Sequence, residues 1–146
     1  MTRLLVLDTG VLGQASHPRR NREFAQWFAQ ILATDTTMFV SEIADYEVRR
    51  ELIRAERHVG IARLNALKAT LPYLPLTTSM MLRAAELWAQ ARRRGRPTAD
   101  PKELDCDVIL AAQALEVGAM VVTDNVGHLA LFVEAKSWRD IVATNA

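Results

Sequence analysis

The sequence predicts an α/β protein, folded as a three-layer α/β/α sandwich around a mostly parallel central sheet. Short aliphatic runs that suit strands covered on both faces alternate with longer segments whose apolar residues recur at helical spacing. Half of the 146 residues are apolar and 24% are charged, which is typical of a globular chain that buries a core. This length predicts one domain, spanning residues 1–146.

The first half of the chain predicts two strands and three helices. Residues 4–7 are aliphatic and run into Asp-Thr-Gly, which indicates a strand followed by a turn. Residues 38–41 form a second β-prone run, and Ser41 at its end suits a helix N-cap. Three segments with apolar residues at helical spacing are the predicted helices: 21–34, 42–57 and 61–71.

The second half continues the alternation. Residues 73–77 are predicted to form a short strand near a sheet edge, because Pro75 has no backbone N–H to donate. The stretch 95–104 is rich in Gly and Pro and predicts a loop. The other predicted elements are a helix over 79–94, a helix from its N-cap Asp105 to Gly118, a strand over 119–124, and a strand with a helical turn within 131–142.

Charge and cysteine content restrict the function classes only slightly. The formal net charge is +1, so the basic run at 91–96 is more informative than the total. A single cysteine, Cys106, rules out an internal disulfide and suits the reducing cytoplasm, where we expect the protein to reside. Cys106 itself is predicted to be a small core residue. No apolar run approaches the ~20 residues of a membrane helix, so no membrane association is expected.

Four acidic residues stand where acids are unexpected. Asp8 and Asp124 each follow an aliphatic strand directly, and ligands bind beyond the carboxyl ends of parallel strands. Asp107 points along the apolar face that Leu110 and Ala111 begin on its helix. Glu47 borders another apolar face, which is predicted to consist of Ala44, Val48, Leu52 and Ala55.

A bound divalent cation would explain why such carboxylates are brought together. An ionised carboxylate in a buried position costs on the order of several kcal/mol, and neighbouring like charges add to that cost. Oxygen ligands suit Mg²⁺ or Mn²⁺ better than zinc. Taken singly, the acids have other interpretations: Asp8 as a cap, Glu47 as a solvated residue, Asp107 as a partner of the helix dipole, and Asp124 as an Asx turn with Asn125.

Three segments resemble the PIN domain family, and within it the VapC-type toxins of bacterial toxin–antitoxin pairs. They are "LDTGVL", "VSEIADYEVRRE" and "LDCDVILAAQALEVGAMVVTDNVGHL", of which the last is the most specific. The resemblance implies a PIN-like sandwich with the activity of an endoribonuclease that uses Mg²⁺ or Mn²⁺. It also implies an RNA substrate, a cognate antitoxin protein as partner, and pairing into a homodimer.

The resemblance assigns roles to particular residues. It implies metal-binding and catalytic acids at Asp8, Glu47, Asp107 and Asp124. Residues that we expect to support these acids are Thr9, Ser41, Asp105, Thr123 and Asn125. Glu51 either supports the acids as well or pairs on the surface with Arg50 or Arg54.

This sequence departs from the family pattern at two positions. The family often places its fourth acid two residues after the threonine, where Asn125 stands here, and Asp124 follows Thr123 directly instead. Gly10 occupies a position where Asn or Ser is common. These departures leave open a rival function: a catalytically weak PIN-like module that binds RNA or protein.

Basic residues near the predicted acids are candidates for RNA binding. These are Arg50, Arg93, Arg94 and Arg96. Arginines that contact phosphates supply affinity without sequence preference. The alternative for the cluster at 92–96 is a solvated helix end, since basic side chains are favoured by the dipole there.

Overall fold

Five parallel strands form the central sheet in the computed structural model, which describes residues 2–19, 21–95 and 101–143. The strands are β1 (Arg3–Leu7), β2 (Thr36–Ser41), β3 (Tyr73–Leu74), β4 (Met120–Thr123) and β5 (Ala135–Ser137). Their order across the sheet is β3-β2-β1-β4-β5, with every neighbouring pair parallel. Because β1 and β4 are parallel neighbours, their carboxyl ends lie side by side. The end of the sheet at which its parallel strands finish is called its carboxyl edge.

Helices connect these strands and cover the sheet. In the described ranges they are α1 (Thr9–Ser16), α2 (Arg22–Leu32), α3 (Glu42–Arg54), α4 (His58–Thr70), α5 (Thr78–Arg93), α6 (Pro101–Val117) and α7 (Val126–Leu129), with a 3-10 turn at Trp138–Asp140. No helix of the described residues is long and apolar enough to cross a membrane.

The two faces of the sheet bury separate cores, which confirms the three-layer sandwich. Leu5 and Leu7 of β1 pack in one apolar cluster with Phe24 and Trp27 of α2. Val6, which points to the opposite face, packs in a second cluster with residues of α6, α7 and β4. The side chains of Leu5, Val6 and Leu7 are fully buried, as expected for a central parallel strand.

Several sequence predictions about local structure are confirmed. Ser41 caps α3, its Oγ accepting a hydrogen bond from the Ala44 amide at 3.3 Å. Gly118 follows α6 with a φ of 68°, a conformation that favours glycine, and ends the helix. The tail supplies β5 and one 3-10 turn, and β3 lies at a sheet edge.

Three helix predictions are wrong. Helix α1 begins at Thr9, where a turn was predicted, although its glycines lower its intrinsic helix propensity. Burial of Val11, Leu12 and Ala15 in the core overrides that propensity. Helix α7 was not predicted, because four residues are too few to show periodicity.

The third error concerns the start of α6. The helix begins at Pro101, four residues before the predicted N-cap, since proline is well tolerated at the first helical position. Asp105 therefore lies inside α6 with its side chain exposed, and it is not the N-cap. Residues 96–100 of the predicted loop lie outside the described residues.

On α3, Ala55 is exposed rather than part of the buried face, because the helix ends at Arg54.

A buried acid that the sequence did not reveal ties three elements together. Asp45 of α3 is 4% exposed and accepts a hydrogen bond from Arg49 Nε at 3.0 Å. Its second oxygen lies 3.6 Å from Lys68 Nζ of α4 and accepts a hydrogen bond from the Tyr73 hydroxyl at 3.3 Å. Burial, followed by the charges of Asp45 and Glu42, raises the pKa of Tyr73 to about 12. The Asp45 carboxylate is thus neutralised by protein groups.

Replacement of this carboxylate should destabilise the fold. We expect Asp45→Ala to lower the free energy of unfolding by about 2 kcal/mol, less than a fully buried ion pair because its basic partners still reach water. For a chain of this size that is a fall of roughly 4–8 °C in Tm, measurable by thermal unfolding. Glu51→Ala is the matched control, because Glu51 and its partner Arg54 are both exposed and such pairs contribute about 0–1 kcal/mol. Equal effects of the two substitutions would contradict the structural role of Asp45.

Candidate active site

Asp8 is fixed at the end of β1 by two hydrogen bonds from different elements. Its Oδ1 accepts from the Thr9 backbone amide at 2.7 Å, which caps α1, and its Oδ2 accepts from the Thr123 hydroxyl of β4 at 2.6 Å. The Asp8 amide donates to the Val122 carbonyl at 2.9 Å and extends the ladder between the strands. The interpretation of Asp8 as a helix cap is therefore correct, and the same side chain also faces the end of β4.

Glu47 of α3 reaches the same edge of the sheet through Thr9. The Thr9 hydroxyl donates to Glu47 Oε1 at 2.8 Å, while the amide of the same residue donates to Asp8. Arg50 Nη2 stands 3.9 Å from Glu47 Oε2, at the limit of an ion pair. Thr9 is therefore the residue that joins the first two predicted acids.

Asp124 is the more exposed member of the site. Its Oδ2 accepts a hydrogen bond from Gln14 Nε2 of α1 at 2.6 Å, and its Oδ1 lies 4.0 Å from Arg139 Nη1. The Asp124 charge acts on Asp8 and contributes to the raised pKa of that carboxyl. Sequence reasoning missed Gln14, because no local pattern links it to a partner 110 positions away.

The geometry distinguishes Asp124 from its neighbour Asn125. The Asn125 amide donates to the Thr123 hydroxyl at 2.9 Å, and its side-chain nitrogen stands 3.4 Å from His128 Nδ1. Asn125 thus turns toward α7, whereas Asp124 turns toward α1 and Asp8. Of the two alternatives for the fourth position, it is Asp124, which directly follows Thr123, whose charge acts on Asp8.

Helix α6 brings Cys106 against Glu47, and Asp107 is the next residue along that helix. Burial raises the pKa of the Cys106 thiol to about 12, with smaller contributions from the Glu47 charge, from thiol donation to Glu47, and from Asp107. The second turn of α6 therefore lies against the part of α3 that carries Glu47. Cys106 packs at the margin of the core but is only half-buried, so the prediction of a core residue holds in part. Asp107 is likewise half-buried.

The other predicted supporting residues divide into two groups. Thr9 and Thr123 contact the acids directly. Ser41 is fully buried and acts one step away, by capping the helix that carries Glu47. Asp105 is exposed and lies two residues before Asp107, so it points away from Asp107 around the helix. Glu51 pairs with Arg54 at 2.9 Å on the surface, which decides between its two interpretations.

Burial and the neighbouring acids disfavour the ionised form of Asp8. The pKa of Asp8 is raised above its ordinary 3.8, chiefly by burial and further by the charges of Glu47 and Asp124. The hydrogen bonds from Thr123 and Thr9 act in the opposite direction. Among the described residues, no set of three or more His, Cys, Asp or Glu side chains forms an arrangement ready to hold a metal ion. Asp8 thus has Glu47 and Asp124 as acidic neighbours, and the described residues do not form a closed set of metal ligands.

Arg50 and a groove adjoin this cluster, and the other predicted basic residues lie at the end of α5 or beyond it. Arg50 is exposed and lies over the Tyr46 ring, with its guanidinium carbon 5.0 Å from the ring centroid. Arg93 and Arg94 are exposed at the end of α5, and Arg96 lies outside the described residues. A groove of about 980 Å³ opens beside Thr9 and Glu47, between α1 and the turn joining α3 to α4. Basic residues on its wall are His17, Arg19, Arg54, Arg57 and His58.

Comparison with known proteins identifies the family. The PIN domain family model matches residues 5–130. The chain belongs to the PIN domain family. The matched PIN region includes the last three residues of β1, the acids at the ends of β1 and β4, and helix α6 with Asp107. The resemblance drawn from the three sequence segments is therefore confirmed at the level of the family.

Solved structures with this fold come from several bacteria. A chain in VapBC2 from Rickettsia felis, bound to a promoter DNA fragment, matches with a TM-score of 0.76 at 16% identity, covering 92% of this chain and 98% of its own. Chains in FitAcB from Neisseria gonorrhoeae and VapBC-1 from Haemophilus influenzae both match with a TM-score of 0.71, at 20% and 19% identity, each covering 94% of this chain and 99% of its own. At such identities the likeness establishes the PIN fold. No curated protein matches the chain.

The raised pKa of Asp8 predicts a stability cost that depends on pH. In protein kept free of divalent ions with EDTA, Asp8→Asn should raise the free energy of unfolding near pH 7 by on the order of 1 kcal/mol, because a buried charge beside like charges is removed. Above the ordinary pKa of 3.8 the unfolded chain ionises more readily than the folded protein, whereas well below it both are protonated. The advantage of Asn should therefore shrink as the pH falls toward 4. Thermal unfolding across this range tests it, and a less stable Asp8→Asn at neutral pH would argue against the crowding of charge.

The Cys106 thiol should be unreactive in the native protein. A pKa of about 12 leaves almost no thiolate near pH 8, and the thiolate is the nucleophilic form. We expect iodoacetamide to modify Cys106 at least about tenfold more slowly in native than in denatured protein. Mass spectrometry of timed samples measures both rates. Equal rates would show that the thiol neither lies in a buried environment nor donates to Glu47.

Proposed function

We propose that this protein is a metal-dependent endoribonuclease that hydrolyses RNA phosphodiester bonds with Mg²⁺ or Mn²⁺. One observation supports this most strongly: Asp8, Glu47 and Asp124, from three separate elements, adjoin at the carboxyl edge of the sheet in a chain of the PIN family. PIN domains are generally nucleases. Asp107, on the α6 turn beside Glu47, is the fourth acid of the proposed site.

The donor set fits a hard divalent cation. The four acids offer carboxylate oxygens, the ligands that Mg²⁺ and Mn²⁺ prefer. The raised pKa of Asp8 also shows that the site disfavours its own negative charge, which a cation would offset. When bound, a divalent ion lowers the pKa of water and stabilises negative charge on a phosphate under attack. The protein residues that would hold it are Asp8, Glu47, Asp107 and Asp124.

The surrounding residues would orient these groups. Thr9 and Thr123 donate hydrogen bonds to the two oxygens of Asp8, and Thr9 also donates to Glu47. The carboxylates of Asp8 and Glu47 are therefore already oriented before substrate binds. Asp124 is the most exposed of the four proposed acids. Its Oδ1 is the oxygen that Gln14 leaves free, so it is the atom best placed to accept a proton from an attacking water.

The proposed substrate is RNA, which the basic residues around the acids would contact at its phosphates. Arg50 lies next to Glu47, and the groove beside Thr9 carries Arg19 and Arg57 on its wall. Arg93, Arg94 and Arg96 extend the proposed phosphate contacts along the end of α5 and beyond it. Such contacts position a strand and increase affinity with little preference for sequence.

We also propose that this nuclease is the toxin of a toxin–antitoxin pair. The support is its fold, which it shares with chains of the VapBC2, VapBC-1 and FitAcB structures. A cognate antitoxin would then bind it, and the toxin would pair into a homodimer in the cytoplasm. Co-expression with the protein encoded next to it, followed by affinity purification and light scattering, tests both the partner and the dimer.

Metal-dependent cleavage is the decisive test of the activity. Incubation of the purified protein with assorted RNAs and Mg²⁺ or Mn²⁺ should yield fragments, resolved on denaturing gels, and EDTA should abolish them. Asp8→Asn and Asp107→Asn should each reduce the rate at least about 100-fold, since even residues that only support metal ligands often contribute 10–100-fold.

Asp35→Asn is the matched control for these substitutions. Asp35 is exposed and directly precedes β2, so it lies at the amino ends of the strands, away from the proposed site. Its substitution should leave the cleavage rate unchanged. RNA binding without cleavage in every condition would favour the rival function, a PIN-like binding module with weak or no catalysis. Cleavage that persists in EDTA would contradict the metal-dependent mechanism.

A further inference from the structure

Gln14 makes the shortest polar contact of the exposed acid Asp124. Its side-chain nitrogen donates to Asp124 Oδ2 at 2.6 Å, which joins the second turn of α1 to the end of β4. A hydrogen bond to an ionised carboxylate is stronger than one between neutral groups. This bond therefore determines where the Asp124 carboxylate points.

The other contacts of Asp124 restrain it weakly. Arg139 Nη1 is 4.0 Å from Oδ1, and both side chains are exposed, so the pair contributes little and is screened by salt. Helix α7 begins after Asn125, so Asp124 is not its N-cap residue. Without Gln14, the carboxylate would be free to turn toward Arg139 and away from Asp8.

Gly10 lies close to the same oxygen of Asp124. It lies one helical turn before Gln14 on the same face of α1, and a Cβ built on it would stand 3.8 Å from Asp124 Oδ2. The α1 backbone thus passes close to the acid without a side chain at the near position. The side-chain amide of Gln14, one turn later, donates the hydrogen bond to Asp124 instead.

We propose that Gln14 is a positioning residue that holds Asp124 beside Asp8 for metal binding; this rests on the proposed function of the site. An amide suits the task better than a basic side chain, because it orients the carboxylate and leaves its negative charge available to a cation. The oxygen that Gln14 does not hold, Oδ1, then stays available to the ion or to water.

Gln14→Met tests this inference, because methionine has similar length and cannot donate a hydrogen bond. The readout is the Mn²⁺ concentration at the midpoint of metal binding, measured by isothermal titration calorimetry, together with the Tm and the cleavage of RNA as functions of Mn²⁺. We expect the midpoint to rise about tenfold in Gln14→Met, with cleavage recovering at saturating Mn²⁺. A merely structural role would lower the Tm of the metal-free protein and leave the midpoint unchanged.

Three further variants make the test specific. Gly10→Asn in the Gln14→Met background places an amide within reach of the same oxygen and should restore the midpoint toward the original value. Gln26→Met, an exposed glutamine of α2, is the matched control and should have no effect on it. Gln14→Ala should behave as Gln14→Met does, so the conclusion does not depend on one variant folding well.

The outcomes separate this inference from the proposed function. If the unmodified protein shows a metal-dependent Tm and cleaves RNA while Gln14→Met keeps the same Mn²⁺ midpoint, Gln14 is not a positioning residue and the nuclease proposal stands. If the unmodified protein shows no response to Mn²⁺ at all, both are overturned. A raised midpoint that Gly10→Asn lowers again supports the assignment.

Discussion

Repulsion among carboxylates at the carboxyl edge of a buried parallel sheet is the constraint on which the proposed chemistry depends. Asp8 directly follows three fully buried strand residues, Leu5, Val6 and Leu7, and the charges of Glu47 and Asp124 are close enough to raise its pKa further. Hydrogen bonds from Thr9 and Thr123 offset only part of that cost. The fold retains an unfavourable concentration of negative charge, and such a concentration suits a site for a cation.

Asp45 shows the opposite arrangement, a buried acid that is paired with basic groups of the protein. Asp45 is more deeply buried than Asp8, yet Arg49, Lys68 and the Tyr73 hydroxyl surround its oxygens. By contrast, no basic side chain of the described residues pairs with Asp8, and the arginine nearest to Asp124 lies at the limit of an ion pair. Asp45 is thus neutralised by basic groups, whereas Asp8, at the end of β1, has no basic partner among the described residues.

The sequence allowed prediction of those features that depend on local patterns. The aliphatic runs before Asp8 and Asp124, the Ser41 cap and the Gly118 stop all have local signatures. Helix α1 was missed because its glycines resemble a turn, and its stability comes from burial that only the folded core provides. The bond between Gln14 and Asp124 and the contact of Cys106 with Glu47 join distant segments, so no spacing in the chain revealed them.

The location of a bound ion tests the central claim most directly. Crystals soaked in Mn²⁺ and measured at the manganese absorption edge would reveal the ion by its anomalous scattering. We expect a peak at the carboxyl edge of the sheet, from an ion coordinated by oxygens of Asp8 and of at least one other acid among Glu47, Asp107 and Asp124. Data of good quality with no peak there, and with these carboxylates bound to arginines instead, would contradict it.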